Sequence, residues 1–565
     1  ILDGFRVEKV EAIAVCLLHS YAKPSHEEEV IAAIKQYWPE VSVVASHQIS
    51  REWREYERTN TTVLSAYVQP IAEKYLSGIE DAMEKRGFTG NLYVMQSNCG
   101  VDHLSRSKQI PITMVESGPA IGVLAAAELG KAIGESNILA LDIGGTTAKC
   151  SLIENAEVKI VSDYWIERTP ANAGYPVMVP VVDIVEIGNG GGSIAWVDDF
   201  EKLHVGPKSA GAIPGPAAYG KGGDQPTVTD ANLALGYLDA GNFLGGSTTL
   251  QKALAEKAIA EYVAEPVGLS MIEAAAGISE VVSTSIAEGI RLMSVQRGVD
   301  PRRFSMMAFG GAAGLQAGKV ARQLQVEKVI IPAAAAVLSA HGMLSTDLKY
   351  DYSRSHPAPL LGMDIDTVRG LVRGMESEGR QKLHDERVPD SSIEVTVSAD
   401  MRYLDQIYEV NVPVPDLAQD LEPLLYQWAG NFHARYQELY SYNQSEQEIR
   451  LVTLRVSVVG RLPKLDPPPL DGVSTDIAKQ KGKRKIYLSG WIDAPIYEIT
   501  ELPPGSSVDG PAVLESEFTT VLVEPGDKAT IDSYGGIELQ VSQETEDSST
   551  AVTDHPDPVT LAVVE

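Results

Sequence analysis

Asp142-Ile-Gly-Gly-Thr-Thr147 joins an apolar run to two glycines and two hydroxyls, and Lys149 follows two residues later. Each residue type suits phosphate chemistry. Glycines leave backbone N–H groups bare, so the main chain can approach phosphate oxygens closely. The hydroxyls of Thr146 and Thr147 add donors. A carboxylate at Asp142 suits Mg2+ (or Mn2+), with contact through water expected because Mg2+ keeps much of its hydration shell. The pattern therefore predicts a nucleoside triphosphate held by Gly144, Gly145, Thr146, Thr147 and Lys149. Asp142 is the metal candidate, and Asp142, Thr146 and Thr147 are the catalytic candidates. The competing reading is a plain Gly-Gly hairpin turn. Such a turn has little use for an acid ahead of the glycines and two hydroxyls behind them.

A second glycine turn, Met307-Ala-Phe-Gly-Gly-Ala-Ala-Gly314, leaves an apolar strand and enters a helix. Something flat could approach its backbone, so Gly310, Gly311 and Ala312 are candidates for holding a nucleoside. Both turns are expected to face one cleft. Asp183 is an acid inside the apolar run 182–187. It is a further catalytic candidate, against the alternative that it satisfies backbone donors. Asp230, in Thr229-Asp-Ala-Asn232, reads as a helix cap before a site residue. Cys99 follows a strand without any base pattern nearby and reads as a structural thiol. Gly215-Pro-Ala-Ala-Tyr-Gly-Lys221 has Walker-type spacing, but Gly222 stands where Ser or Thr is needed and Pro216 removes a donor. It is rejected as a phosphate loop.

The elements that must position these turns alternate in type. Strands are expected at 10–18, 41–45 and 91–96. A helix from Ser25 to about 38 has Ser25 as cap, and a helical region at 58–86 is interrupted near Pro70. Glu116-Ser-Gly-Pro-Ala120 feeds a small-residue helix. The strand 138–143 passes through its Gly-Gly turn into a hairpin. Helices at 248–265 and 271–297, a strand at 304–309, a helix at 315–324 and a strand at 328–331 follow. Beyond 350 come a charged helix at 364–387, alternating strands at 393–413, a helix at 416–440, and strand and turn over 450–542. This predicts an α/β fold with a β-rich C-terminal region. The expected division is 1–115, 116–349, 350–542 and an acidic tail at 543–565.

Composition narrows the function. The 565 residues exceed one core, and 44% hydrophobic with 22% charged residues is ordinary globular protein. A net charge of −30 argues against nucleic-acid binding, which needs clustered Lys and Arg. Three cysteines and ten scattered histidines show neither disulfide framework nor zinc spacing, so a cytoplasmic setting is expected. No apolar run approaches the roughly 20 residues of a membrane span. The chain opens on Ile1 with a strand pattern close behind, so an upstream portion is expected to be missing.

In these motifs the chain resembles the hydantoinase A/5-oxoprolinase family of the actin/hexokinase-like ATPase superfamily. The resemblance spans nearly the whole chain. It is carried by Arg54-Glu-Tyr-Glu-Arg-Thr59, Met95-Gln-Ser-Asn98, Glu116-Ser-Gly-Pro-Ala120, both glycine turns, Gly190-Gly-Gly-Ser-Ile-Ala-Trp196, Pro226-Thr-Val-Thr-Asp-Ala-Asn232 and Met401-Arg-Tyr403. It implies a two-lobed ATPase core, lacking its N-terminal part, that uses ATP to open a cyclic amide. The alternatives are the ATP-using subunit of an acetone- or acetophenone-type ketone carboxylase, or a scaffold that has lost catalysis. It further implies a hetero-oligomer with a B-type subunit or fused domain. Asp557-Pro-Val-Thr-Leu561 resembles the opening of that partner. Departures from the family pattern are Cys99 and Asp405 for glycine, Ala218 for cysteine and Gln316 for histidine, and the upstream Asp-Val-Gly-Gly-Thr turn is absent.

Overall fold

The computed structural model describes residues 1–168, 172–464, 469–470 and 479–543. The chain gathers into two compact units built from separated stretches. One contains 1–120, 160–182 and 345–464; the other contains 121–159, 183–344 and 465–565. The stretches interleave because each sheet recruits strands far apart in the chain. The expected partner-like segment at 557–561 lies outside the described residues, as does nearly all of the acidic tail.

In the first unit, Ala12–Val15 pairs in parallel with Ser42–Ala45. Ile13, Val15, Ile34, Val41 and Ala45 form their core. The helix Ser25–Tyr37 starts behind Pro24, which is already helical, so Ser25 is not the expected cap. Its first turn instead sends Glu27 inward. That carboxylate is fully buried and accepts from the N–H groups of Leu17 (2.8 Å) and His47 (3.0 Å) and from the Ser46 hydroxyl (2.6 Å). Its second oxygen lies 2.7 Å from His47 Nδ1. Burial alone would raise its pKa, but these bonds outweigh it and hold the group at about 2. The helix Glu55–Lys85 runs through Pro70 without the expected interruption. Burial of Ser65, Ala66 and Gln69 holds the turn ahead of the proline.

A six-stranded sheet completes this unit, in the order Val410–Pro413, Ile393–Tyr403, Ile449–Gly460, Asp347–Pro359, Gly100–His103, Tyr93–Met95. The strand Asp347–Pro359 was not anticipated, although its first half buries alternate residues Leu348, Tyr350 and Tyr352 as a strand pattern requires. Beside Gly100–His103, Cys99 adopts φ +64°, a region that favours glycine. Its thiol contacts the Ala120 carbonyl oxygen at 3.4 Å, and burial pushes it up to about 12. The structural reading of Cys99 fits this inert setting.

The second unit is organised on a larger sheet, ordered Val185–Ile187, Ala148–Glu154, Ile138–Ile143, Ser305–Phe309, Lys328–Ile331, Ile537–Gln540, Lys528–Ile531, Ser507–Asp509. Its centre is apolar, with Leu139, Leu141, Ile143, Met306, Met307 and Ala308 essentially inaccessible to water. Ile138–Ile143 and Ser305–Phe309 are adjacent and parallel, with Asp142 opposite Phe309. Parallel register brings the two strands to their glycine turns at the same end. The last three strands come from beyond residue 500. Part of the β-rich C-terminal region is therefore an extension of this sheet. Arg322, on the helix Ala313–Leu324, fastens that extension through Asp527 (2.8 Å) and Glu524. Among the described residues, no single helix is long and apolar enough to cross a membrane.

Candidate functional site

The strand Ile138–Ile143 turns back into Ala148–Glu154 through residues 144–147, with the Gly144 N–H donating to the Thr147 carbonyl (3.1 Å). The hairpin reading is thus correct as geometry. The turn is nevertheless not a free surface loop. Gly191 donates to the Gly144 carbonyl (3.0 Å) and Gly192 to that of Gly145 (2.6 Å), so the glycine run 190–192 is stitched along it. A Cβ on Gly190 would stand 2.8 Å from the backbone of Thr146 and Thr147, which is why that approach demands glycine. The N–H groups of Gly145 and Thr146 find no acceptor among the described residues. A Cβ on Gly145 would meet nothing within 4 Å.

The second turn packs directly on the first. Ala312 donates its N–H to the Ile143 carbonyl (3.1 Å), and Gly310, at φ +89°, lies against Asp142. The helix Ala313–Leu324 starts here with no side-chain cap, so its first N–H groups and its positive dipole end are directed at this turn.

Gly144, Gly145, Gly311 and Ala312 all line one cavity of about 240 Å3 inside this unit. The expectation that the two turns share a cleft is met within a single unit. Thr229 joins them there, its hydroxyl donating to the Gly191 carbonyl (2.8 Å). The rest of the lining includes Tyr219, Asn232, Leu238, Phe243 and a hairpin tip, residues 516–519, between Ala512–Glu515 and Thr520–Val523. That tip was missed from sequence. Nothing in its residue types announces a site, and only the recruitment of the C-terminal strands brings it here.

The remaining candidates divide. Asp142 is partly buried behind the turn, and burial pushes its carboxyl up to about 6 against the opposing charge of Lys149. Lys149, directly opposite on the neighbouring strand, also pairs with Glu186 (3.5 Å). Thr146 and Thr147 lie in the turn without lining the cavity. Asp183 stands apart from it. Its carboxylate is held by Arg297 and by Lys159 (3.1 Å), an ion-pair setting. Among the described residues no cluster of three or more His, Cys, Asp or Glu could hold a metal on its own. A mostly hydrated Mg2+ on Asp142 and phosphate needs no such cluster, and a carboxyl raised by burial gains most from a nearby cation, so the residues present fit that ion.

Asp230 is not the cap of Val228–Ala234 but its third residue. Thr227 caps the helix, and the two form a reciprocal box. The fully buried Asp230 carboxylate also accepts the N–H groups of Ala217 (3.2 Å) and Ala218 (2.7 Å). It thereby fixes the stretch rejected as a phosphate loop, which contributes Pro216 and Tyr219 to the cavity wall. Gln316 is buried one residue beyond the lining Leu315 and accepts from Ser283 (2.6 Å).

Comparison with known proteins agrees with this architecture. A family model described as Hydantoinase/oxoprolinase matches residues 58–352, and one described as Hydantoinase/oxoprolinase C-terminal domain matches 365–541. The caprolactamase subunit alpha of Pseudomonas jessenii is 35% identical over 95% of this chain and 77% of its own length. The acetophenone carboxylase gamma subunit of Aromatoleum aromaticum is 32% identical over 93% of this chain and 73% of its own. The crystal structure of the ATP-dependent caprolactamase from Pseudomonas jessenii superposes with a TM-score of 0.81 at 34% identity, over 96% of this chain and 78% of that one. With family models matching both halves of the sequence and relatives above 30% identity along almost all of it, the chain belongs to the hydantoinase/oxoprolinase family, among whose members are ATP-dependent hydrolases and carboxylases.

Proposed function

We propose that this chain binds ATP with Mg2+ in the cavity of its second unit and hydrolyses it to activate a cyclic amide for ring opening, in a cytoplasmic complex with a B-type partner. The observation that carries the reading is the meeting of the 144–145 and 311–312 turns on one cavity. The open N–H groups of Gly145 and Thr146 and the Thr146 and Thr147 hydroxyls serve the phosphates. Gly310, Gly311 and Ala312 back the nucleoside, and Lys149 adds positive charge behind the turn. Asp142 would hold Mg2+, whose chemistry when bound is neutralisation of phosphate charge. Ring opening breaks the bond between the carbonyl carbon and the ring nitrogen. Phosphorylating the amide oxygen makes that carbon electrophilic enough for water to attack, so catalysis of this kind is chiefly positioning and charge neutralisation.

The second reading, a ketone carboxylase subunit, is supported by the similarity to the acetophenone carboxylase subunit. One experiment separates the two. ADP release is measured with the complete complex on hydantoins, 5-oxoproline and lactams, and on ketones with and without bicarbonate. Release driven by a cyclic amide alone supports the amidase. Release that requires both ketone and bicarbonate replaces it with the carboxylase. No ADP release on any of these substrates, with complex assembly unchanged in Asp142→Ala, leaves only a scaffold.

A further inference from the structure

Thr229 and Asn232 stand one turn apart on the same face of Val228–Ala234, and both line the cavity. Thr229 marks the end beside the glycine turns, through its bond to the Gly191 carbonyl. Asn232 lies a turn further along the helix, and Tyr219, Leu238 and Phe243 line the same cavity. The Tyr219 and Phe243 rings are 5.8 Å apart and tilted by 45°.

Asn232 is only 2% exposed, yet its Oδ1 has no hydrogen-bond partner among the described residues. A buried carboxamide left unpaired is unusual in a folded protein. The carboxylates nearby in the fold are acceptors like Oδ1, and each is paired elsewhere. Asp239 accepts from Arg484 (3.0 Å), and Glu515 from Arg484 (2.7 Å) and Lys481 (3.2 Å). Asp230 accepts from Ala217, Ala218 and Thr227. Among the described residues no Lys or Arg lines the cavity, whereas Asp239, Glu515 and Glu517 do. An unpaired acceptor together with two aromatic rings suits a flat, neutral, donor-bearing ring.

We propose that Asn232 reads the base of the bound nucleotide and selects adenine. The inference rests on the nucleotide reading of the cavity and assigns its specificity. A carboxamide offers an acceptor and a donor side by side. Adenine answers with its exocyclic amine as donor and an adjacent ring nitrogen as acceptor. On the edge that carries N7, hypoxanthine places a carbonyl where adenine has the amine, so acceptor meets acceptor at the Asn232 oxygen and only the bond from the amide N–H to N7 survives. Thr229, whose hydroxyl is bound to Gly191, stays with the phosphate end and carries no base information.

The test is equilibrium binding of ATP and ITP to the full-length protein, wild type and Asn232→Leu, with Asn232→Asp as a variant that keeps an acceptor. Circular dichroism confirms that each variant folds. Wild type should favour ATP over ITP by about tenfold, a conservative figure for one bidentate pair. Asn232→Leu should bring that ratio within about twofold while retaining measurable binding of both. Should Asn232→Leu misfold, Asn232→Asp carries the test, with a ratio between those two values. An ATP:ITP ratio unmoved in a folded variant overturns the role of Asn232 and leaves the nucleotide site standing. Failure of wild type to bind either triphosphate overturns the nucleotide reading, and this assignment with it.

Discussion

A Cβ placed on Gly310 would stand 2.4 Å from Asp142 Oδ1 and 2.5 Å from the carbonyl oxygen of Ile143. The second glycine turn therefore holds the metal candidate in place by contact as well as facing the same cavity. Gly310→Ala meets that backbone and carboxylate while also straining φ +89°. Gly311 differs, since a Cβ there meets nothing within 4 Å and enters the cavity. Gly310→Ala is expected to lower thermal stability by several degrees and to displace Asp142. Gly311→Ala should keep the wild-type melting temperature within about 2 °C and weaken ATP binding. Calorimetric melting and nucleotide titration of the pair check this. Equal melting losses in both would refute the distinction.

Arg322 ties the helix that begins at the second turn to strands from the end of the described chain. Its partner Asp527 has a side chain wholly buried, and Glu524 nearly so. Removing the guanidinium leaves two carboxylates without it in a dry setting. A buried pair broken on one side costs about 3–5 kcal/mol. Arg322→Ala should therefore destabilise by an amount in that range, and Arg322→Met, which keeps the stem, by nearly as much. Urea unfolding measures both. A loss under about 1 kcal/mol, the level of a surface pair, would show that the tie is dispensable.

Legibility followed locality. The strand Ile138–Ile143 and its turn could be read from six or so residues, because an apolar run ending in acid, glycines and hydroxyls is a local statement. The strand Lys328–Ile331 fell where expected for the same reason. Caps were harder. Ser25 and Asp230 both looked like caps by residue type, yet Pro24 and Thr227, one and three residues earlier, hold those positions, since backbone angles decide where a helix starts. Asp183 read as a lone interior acid because Arg297, its partner, lies more than a hundred residues away in sequence. The hairpin tip 516–519 and the interleaving of the two units were invisible for that reason too. They depend on which distant strands complete each sheet.

Asp230 offers a local test of how the cavity wall is built. Its carboxylate collects the N–H groups of Ala217, Ala218 and Thr227 and the Thr227 hydroxyl, all at 3.2 Å or less. Burial raises its pKa and these four bonds oppose the rise. Asp230→Ala strands three donors in the interior, at about 1–3 kcal/mol each before relaxation. Hydrogen exchange at Ala217 and Ala218 should accelerate at least tenfold beyond exchange at the sheet centre, for example at Leu141. Uniform acceleration everywhere would mean the change is felt only through global stability.

Glu27 sets a pH dependence in the first unit. The folded carboxyl sits at about 2 against an ordinary 4.5. A group depressed on folding contributes stability that is complete above the unfolded value and is lost as pH falls through the folded one. The window is therefore about pH 4.5 down to 2. The contribution is at most about 3 kcal/mol. Glu27→Gln keeps the shape but not the charge that accepts from Leu17, Ser46 and His47. At pH 6 the variant should be less stable than wild type by up to that amount, and the gap should close as pH approaches 2. Urea unfolding of both proteins at pH 6, 4 and 3 decides the point. A gap constant across the series would place the effect in shape and packing and remove charge from the account.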